Sequence, residues 1–286
     1  MKIAISGANG FIARNLIEKL EISGHQIVPI GRNKLYSIEE LSVILSGTEV
    51  VINLAGAPIL QRWTEKSKNE IAKSRIIATQ NIVKAINGLP ENKKPQIFIT
   101  ASAIGIYSTN TITHSESSTS FANDFIGEVV KNWENASLNL SPKVRRVVFR
   151  IGLVLGKDAQ TIQKLLPVFK MGIGGKIGSG EQPFPFVHIS DLVNAIFWAI
   201  QNEKARGIYN LSAPENIDNK TFTCVLAKSL KRPAVFTVPA FGLKLLYGEA
   251  ASLLLQSPQV TPQRLLDEGF VFHFPEIKSC LAEITS

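Results

Sequence analysis

Apolar runs of strand length alternate along this chain with segments in which apolar residues recur at helical spacing. This alternation is typical of parallel strands that are covered by helices on both faces of one sheet. The predicted strands cover residues 2–6, 26–30, 50–54, 96–100, 146–150 and 208–211. The predicted helices cover residues 11–23, 64–86, 122–140 and 190–201, with a short helix over 38–45. Residues 33–50 leave hardly any room for a further strand, so we expect no strand between the second and third predicted strands.

A different pattern begins near Gly156. A glycine-rich stretch over 172–180 leads to Pro183-Phe184-Pro185, and further prolines divide the remaining chain into short elements. We therefore predict an α/β protein with a doubly wound parallel sheet and a smaller C-terminal α+β lobe. The predicted sheet domain covers residues 1–155 and is completed by about 187–212, and the predicted lobe consists of residues 156–186 and 213–286.

The first predicted strand ends in a glycine turn, Gly7-Ala8-Asn9-Gly10, which leads directly into the first predicted helix. Gly7 permits a tight turn, Gly10 lets the backbone approach a pyrophosphate, and the small side chain of Ala13 lets the helix pack closely on the strand. The free N–H groups and the positive end of the helix dipole attract phosphate. A plain tight turn is the alternative interpretation. Because the motif follows an apolar strand and precedes a helix, the sequence predicts a Rossmann-type dinucleotide site.

The second predicted strand indicates which dinucleotide binds. NAD sites usually place Asp or Glu after this strand to bond the ribose hydroxyls, and such an acid would repel the additional phosphate of NADP. This chain has Gly31 and Arg32 instead. A guanidinium binds a phosphate through two parallel charge-assisted bonds and also stacks on adenine. The sequence therefore favours NADP over NAD, and a solvated surface arginine is the alternative interpretation of Arg32.

Charge and cysteine content limit the partners, ligands and cellular setting that we expect. The chain of 286 residues has a net charge of +8, but its basic residues are scattered and belong to no recognisable nucleic-acid module, so we predict no nucleic-acid partner and a basic cleft for an anionic ligand. Cys224 and Cys280 are the only cysteines. They are too few for a disulfide scaffold or a cysteine zinc site, which favours a cytoplasmic setting and no metal.

We also predict that the protein associates with no membrane and carries no targeting peptide. The initial apolar run stops at Gly7, and no small-residue cleavage site follows it. The most apolar later stretch, Phe241 to Leu255, is interrupted by Lys244 and Glu249 and is too short to span a bilayer.

Many short motifs in this order resemble the extended short-chain dehydrogenase/reductase superfamily. Within it, the chain is similar to the branch of NAD-dependent epimerase/dehydratase family proteins whose substrate is unknown. The motifs that carry the resemblance are Ser6-Gly7-Ala8-Asn9-Gly10-Phe11-Ile12, Val51-Ile52-Asn53-Leu54-Ala55-Gly56, Arg62-Trp63-Thr64, Ser74-Arg75-Ile76, Thr100-Ala101-Ser102-Ala103, Trp133-Glu134, Phe149-Arg150-Ile151-Gly152, Val187-His188-Ile189-Ser190-Asp191 and Leu265-Leu266-Asp267-Glu268-Gly269-Phe270.

The resemblance implies a Rossmann domain that binds NAD(P) and a C-terminal lobe that binds substrate. The segment Asn53 to Gly56 would then lie beneath the adenosine or nicotinamide ribose, and Arg75 would line the cleft. A solvated helix face is the alternative for Arg75. The predicted cofactor contacts are Gly7, Asn9, Gly10, Phe11, Ile12, Arg32, Asn33, Leu54, Ala55, Gly56, Arg75 and Ala101.

The catalytic residues of the superfamily are incomplete in this chain. Superfamily members resemble one another in a Ser or Thr, a Tyr, and a Lys four residues after the Tyr, and the Lys lowers the pKa of the phenol that moves the proton. Aligned on Trp133-Glu134, the Tyr position falls at Phe125 or Ile126 and the Lys position at Val129 or Val130. Lys131 is displaced around the helix from that position, and we predict it to be a surface residue.

Two hydroxyl residues after the fourth predicted strand remain as catalytic candidates. Ser102 lies where the superfamily hydroxyl belongs, although the register is uncertain by one against Ala103, and a capping serine is the alternative. Tyr107 follows in the same loop, where we expect it to be near the substrate. We expect His188 to have a packed structural role, with that of a base as the alternative. The stretch Gly172 to Gly180 would form a mobile flap or, alternatively, a plain connector.

These features leave three hypotheses. In the first, the chain is an NADP-dependent oxidoreductase or epimerase that acts on a small sugar-like or anionic substrate without the usual YxxxK. In the second, it is a non-catalytic Rossmann protein that senses NADP(H). The third and most remote is an interaction protein of the division apparatus. A homodimer is left open as the oligomeric state.

Overall fold

Twelve strands and eleven α-helices alternate along the chain in the computed structural model, which describes residues 1–286. The strands are β1 (Lys2–Ser6), β2 (Gln26–Ile30), β3 (Val50–Asn53), β4 (Ile97–Ala103), β5 (Thr113–His114), β6 (Arg145–Ile151), β7 (Leu153–Leu155), β8 (Gly175–Ile177), β9 (Phe186–His188), β10 (Gly207–Leu211), β11 (Phe236–Val238) and β12 (Gln259–Val260). The α-helices are α1 (Phe11–Ile22), α2 (Ile38–Leu45), α3 (Glu65–Gly88), α4 (Phe125–Asn135), α5 (Gln160–Lys170), α6 (Ile189–Gln201), α7 (Asn219–Ser229), α8 (Ala240–Tyr247), α9 (Ser252–Leu255), α10 (Gln263–Asp267) and α11 (Ile277–Thr285).

Six of the strands form one parallel sheet in the order β10-β6-β4-β3-β1-β2. The order reverses at β1, as it does in a doubly wound Rossmann-type sheet. Helices α1 and α6 pack on one face, around Ile5 and Ile52, and helices α2 and α3 pack on the other face, around Val51 and Phe98. Because both faces are covered, the strands are apolar at successive positions rather than at alternate ones. The predicted fold class is confirmed.

The predicted elements agree closely with the structure at the start of the chain and less well at α4. Helix α2 begins and ends at the predicted residues, and no strand lies between β2 and β3, as predicted. The predicted helix over 122–140 was too long. Asp124 is in an extended conformation and its carboxylate accepts the N–H of Gly127 at 2.8 Å, so the helix begins after it. At the other end the Ser137 hydroxyl donates to the Glu134 carbonyl at 2.8 Å, which competes with helical bonding.

The C-terminal part of the chain adds small strand pairs and its own core. β7 pairs with β9, β8 with β11, and β5 with β12, all in parallel. A separate cluster of buried side chains joins α5, β9, α7 and α11 through Phe169, Phe186, Phe222 and Leu281. Helix α8 contributes no buried residue. No helix of the structure combines the length and apolar composition needed to cross a membrane.

A buried carboxylate fastens the C-terminal segment to α6. Asp191 in the first turn of α6 is fully buried and accepts the backbone N–H groups of His273 at 2.7 Å and Phe274 at 2.9 Å. Two charge-assisted hydrogen bonds thus offset the cost of burying the charge.

We expect Asp191→Ala to lower the free energy of unfolding by about 3 kcal/mol, because it leaves two partly buried N–H groups without their charged acceptor. Urea denaturation followed by tryptophan fluorescence measures this loss. Glu203→Ala, at an exposed position after α6, is the matched control and should change stability little. Equal unfolding midpoints for the two variants would show that Asp191 does not fasten the segment.

Candidate functional site

The turn after β1 has a backbone that only glycine adopts without strain. Gly7 has a φ of +71°, and a Cβ at this position would lie 2.8 Å from the carbonyl oxygen of Leu54. The N–H of Gly10 closes the turn by donating to the Gly7 carbonyl at 2.8 Å. The turn therefore brings the end of β1 against the residues that follow β3.

The N-terminus of α1 leaves backbone N–H groups without a side-chain partner. Gly10 occupies the N-cap position, where no side chain caps the helix, and the first bond of the helix runs from the Arg14 N–H to the Gly10 carbonyl at 3.0 Å. The N–H groups of Phe11 and Ile12 precede that bond. Asn9 and Gly10 are exposed. Free N–H groups at the positive end of a helix dipole form a binding site for an anion such as a phosphate.

A buried polar network holds the end of β3 in place. The Ser6 hydroxyl donates to the Asn53 side-chain oxygen at 2.6 Å, and the Asn53 amide donates to the Thr79 hydroxyl on α3 at 2.8 Å. The Thr79 hydroxyl also accepts the indole N–H of Trp133 at 3.0 Å. The backbone N–H groups of Leu54 and Ala55 donate to the Ser6 hydroxyl oxygen at 3.2 Å each. This network fixes the residues that precede Gly56.

Arg75 lies against Gly56 without an acidic partner. Its guanidinium donates to the carbonyl oxygens of Ala57 at 3.1 Å and Ile71 at 3.2 Å, and it lies 5.4 Å from the centre of the Trp133 ring. A Cβ at Gly56 would come within 3.0 Å of the guanidinium. Burial lowers the pKa of Arg75 to about 10. A partly buried cation that no carboxylate neutralises is well placed to receive an anion.

The residues after β2 are open to solvent. Gly31, Arg32 and Asn33 are exposed, and Arg32 begins a short 3₁₀ helix. The neighbouring Lys34 is paired with Glu40 at 2.5 Å. Arg32 therefore remains as the unpaired cation after β2.

All these segments meet at one edge of the sheet. Because the six strands are parallel, the residues that follow β1, β2, β3 and β4 lie at the same carboxyl edge. Ala101, near the end of β4, is half-buried there. The structure thus brings the predicted cofactor contacts to the edge where doubly wound sheets bind ligands, and their role as contacts stays a prediction.

Helix α4 has no group that could move a proton at the YxxxK positions. Phe125 packs edge-on against Trp63 at 5.1 Å between ring centres, and Ile126, Val129 and Val130 are buried. Lys131 is exposed, as predicted.

The hydroxyl group of Ser102 belongs to a buried ion pair. It donates to one Glu134 carboxylate oxygen at 2.6 Å. The Arg150 guanidinium donates to both oxygens of the same carboxylate, each at 2.8 Å. Arg150 is 3% exposed and Glu134 is 8% exposed. Burial acts to lower the pKa of Arg150, but the hydrogen bonds and charge of Glu134 outweigh it, so the net shift is upward.

Tyr107 occupies the other side of Arg150. Its hydroxyl accepts an N–H of Arg150 at 2.7 Å and lies 2.8 Å from the Asn210 side-chain oxygen, to which it donates. The ring is 1% exposed and stacks on His114 at 4.8 Å between ring centres. Burial raises the pKa of Tyr107, although the charge of Arg150 acts in the opposite direction. A general acid that works through its phenolate needs the opposite shift.

The structure thus changes the interpretation of both catalytic candidates. The Tyr107 side chain is enclosed and its hydroxyl is bonded inside the protein, and its place near the substrate stays a prediction. Ser102 likewise faces Glu134 and not an open cleft. In this conformation both hydroxyl groups satisfy a buried charge. A catalytic role for either residue stays a prediction.

Glu134, Arg150 and Asn210 are structurally central residues to which the sequence alone assigned no role. Helix α4 and strand β6 bring Glu134 against Arg150. The sequence contained one indication, because a charged residue that ends a predicted buried strand, as Arg150 does, requires a partner.

Two further expectations concern the C-terminal lobe. His188 caps α6 by accepting the Ser190 N–H at 3.2 Å and lies 3.1 Å from Glu283, and burial lowers its pKa. These contacts give it the packed structural role that was predicted. The stretch Gly172 to Gly180 contains β8, which pairs with β11, and its residues 177–179 line a cavity.

We expect Glu134→Gln to destabilise the protein by about 3–5 kcal/mol, because it leaves the buried guanidinium of Arg150 without a counter-charge. Glu128→Gln, at an exposed position of the same helix, is the control that should change stability by less than about 0.5 kcal/mol. The measurement is urea unfolding at neutral pH, and equal midpoints for the two variants would contradict the assignment.

Comparison with known proteins places the chain in a family. Residues 3–212 match the model of the NAD dependent epimerase/dehydratase family, and residues 238–284 match a domain of unknown function. The Epimerase family protein SDR39U1 homolog, chloroplastic, of Arabidopsis thaliana is 34% identical over 300 residues, which cover 99% of this chain and 86% of the relative. The Epimerase family protein SDR39U1 of Mus musculus is 33% identical over 295 residues, and the match covers 100% of both chains.

A solved structure agrees with this assignment over the whole fold. The crystal structure of the human epimerase family protein SDR39U1 (isoform 2) with NADPH has a TM-score of 0.93 and 31% identity, and the match covers 100% of this chain and 99% of that chain. The UDP-N-acetylglucosamine 4-epimerase of Bacillus cereus has a TM-score of 0.78 at 17% identity, with 100% of this chain and 98% of that chain covered, and shares the fold. The protein belongs to the NAD dependent epimerase/dehydratase family.

Proposed function

We propose that this chain binds NADP(H) at the carboxyl edge of the sheet and reduces or epimerises a small sugar-like or anionic substrate without the usual YxxxK pair. The uncapped N-terminus of α1, behind the glycine turn, is the observation that carries the proposal. The human relative, whose crystal structure contains NADPH, supports the same cofactor.

The residues at the edge fit NADP(H) in chemistry. The N–H groups of Phe11 and Ile12 would bind the pyrophosphate, while Arg32 and Asn33 would bind the 2′-phosphate of the adenosine. The remaining contacts would come from Gly7, Asn9, Gly10, Leu54, Ala55, Gly56, Arg75 and Ala101. When bound, the cofactor supplies or accepts a hydride. The protein orients it and, through Arg75, adds a positive charge at the adjoining cleft.

The proposal also assigns separate binding roles to two parts of the chain. Residues 1–155, completed by about 187–212, would bind the dinucleotide, and residues 156–186 and 213–286 would bind the substrate. We place the protein in the cytoplasm on the grounds of its two unpaired cysteines.

A second candidate is an NADP(H)-sensing protein that performs no chemistry. The side chains of α4 favour it, because Phe125, Ile126, Val129 and Val130 cannot transfer a proton. The engagement of Ser102 and Tyr107 in the buried network favours it as well.

Arg32→Ala tests the choice of cofactor. Loss of the charge-assisted bonds to the 2′-phosphate should weaken NADPH binding by about tenfold to a hundredfold and leave NADH binding unchanged. Titration of the cofactor fluorescence measures both affinities. Arg232→Ala, at an exposed position in the C-terminal lobe, is the control and should change neither. An equal effect of Arg32→Ala on NADPH and NADH would overturn the preference for NADP.

Oxidation of NADPH with a library of small carbonyl compounds separates the enzyme from the sensor. Turnover with any carbonyl supports the enzyme, and tight NADPH binding with no turnover across the library supports the sensor.

We expect Tyr107→Phe and Ser102→Ala to lower thermal stability, because both hydroxyls bond the Glu134–Arg150 pair. If either variant keeps wild-type stability and loses turnover, its hydroxyl takes part in catalysis and the sensor is excluded.

A further inference from the structure

A cavity of about 520 Å³ lies between the glycine-rich stretch and the helices that follow β11. One wall consists of β8 and the residues after it, and the other consists of α8, α9 and the 3₁₀ turn between them. This second wall belongs to the segment that matches a domain of unknown function. The polar residues of the lining include Ser179 and Gln182 on one side, and Lys244, Glu249 and Gln256 on the other.

Two contacts hold the cavity beside the start of α3. Lys68 on α3 is paired with Glu249 at 2.7 Å, and the Arg62 guanidinium donates to the Leu245 carbonyl at 3.4 Å. Arg62 lies in the loop between β3 and α3, whose first residues are Leu54 to Gly56. The cavity wall is therefore joined to the loop that leads from the proposed cofactor edge.

The cavity lining carries one lysine and one carboxylate. The carboxylate, on Glu249, is paired with Lys68 outside the lining. Lys244 is exposed and lines the cavity, and it has no carboxylate partner. The Gln182 amide N–H₂ is already bonded to the carbonyl oxygens of Ile177 at 3.2 Å and Leu254 at 3.1 Å. The Lys244 ammonium group is therefore the strongest donor left for a ligand.

Further donors and an apolar surface complete the lining. Gln256 is a lining residue, and the Ser179 hydroxyl oxygen accepts the Glu181 N–H at 3.3 Å, which leaves its own O–H free to donate. Ile177 and Leu255 supply apolar area for the body of an organic molecule. Small-molecule sites of about 300–1,000 Å³ combine an apolar lining with a few polar groups in this way.

We propose that the segment 238–284, together with β8, binds a small organic anion whose carboxylate or phosphate oxygens contact Lys244. The identification of this anion as the substrate rests on the function proposed above, but its binding does not require the cofactor. The assignment gives the domain of unknown function a specific role, the recognition of a ligand's negative charge.

Calorimetric titration of the cofactor-free protein with glucose 6-phosphate, gluconate and glucose tests the proposal. We expect at least one of the two anions to bind and the neutral sugar not to bind. Lys244→Met, which keeps an unbranched side chain one atom shorter and removes its charge, should weaken anion binding by about tenfold or more. Lys228→Met, at an exposed position on α7 outside the cavity, is the matched control and should leave binding unchanged.

Binding of glucose 6-phosphate alone would assign a phosphate ligand, and binding of gluconate alone would assign a carboxylate. Binding of neither anion, equal binding of glucose, or equal affinities of wild type and Lys244→Met would overturn the proposal. NADPH titration of the same proteins separates this result from the proposed function. Wild type that binds the anion but not NADPH would refute the cofactor assignment alone, and Lys244→Met that binds NADPH normally but not the anion would support both.

Discussion

The buried ion pair between Glu134 and Arg150 is the interaction on which the centre of this protein depends. Charged groups are costly to bury, and such a pair is tolerated only when its remaining hydrogen-bonding capacity is also satisfied. Ser102 in β4 and Tyr107 in the loop after it supply these hydrogen bonds. Asn210 extends the network to β10. One carboxylate thus couples α4, three strands of the sheet and a loop, so that removing one partner disturbs them all.

The same pair constrains the chemistry that the site can perform. The hydroxyl groups of Ser102 and Tyr107, the two candidates to replace the missing Tyr of YxxxK, are bonded inside the protein, where burial raises the pKa of Tyr107. The carboxyl edge of the sheet is different, because the uncapped N-terminus of α1 and Arg32 have no internal partners that would occupy them. The fold therefore retains a site suited to dinucleotide phosphates while the usual proton-transfer residues on α4 are replaced by a packed apolar face.

Specific polar contacts join the C-terminal lobe to the rest of the protein, beside the apolar packing of Leu265, Phe270 and Phe272 in the main core. Asp191 fastens the segment at His273 and Phe274 to α6, and the pair of Lys68 with Glu249 joins the cavity to α3. Because Glu249 is neutralised in this way, Lys244 sets the charge of the cavity. The cavity with Lys244 and the uncapped N-terminus of α1 are separate places in the structure.

Local sequence determined the doubly wound sheet, the glycine turn and the position of Arg32, because apolar periodicity and glycine conformation act over a few residues. It also showed that α4 lacks Tyr and Lys at the required spacing. The bounds of α4 were less predictable, since the Asp124 cap and the Ser137 hydroxyl override the helical pattern. Only the tertiary structure decided that Ser102 and Tyr107 face a buried charge. Arg150 meets Glu134 across strand pairing and helix packing, and no local pattern encodes which of two distant charged residues will share one enclosed space.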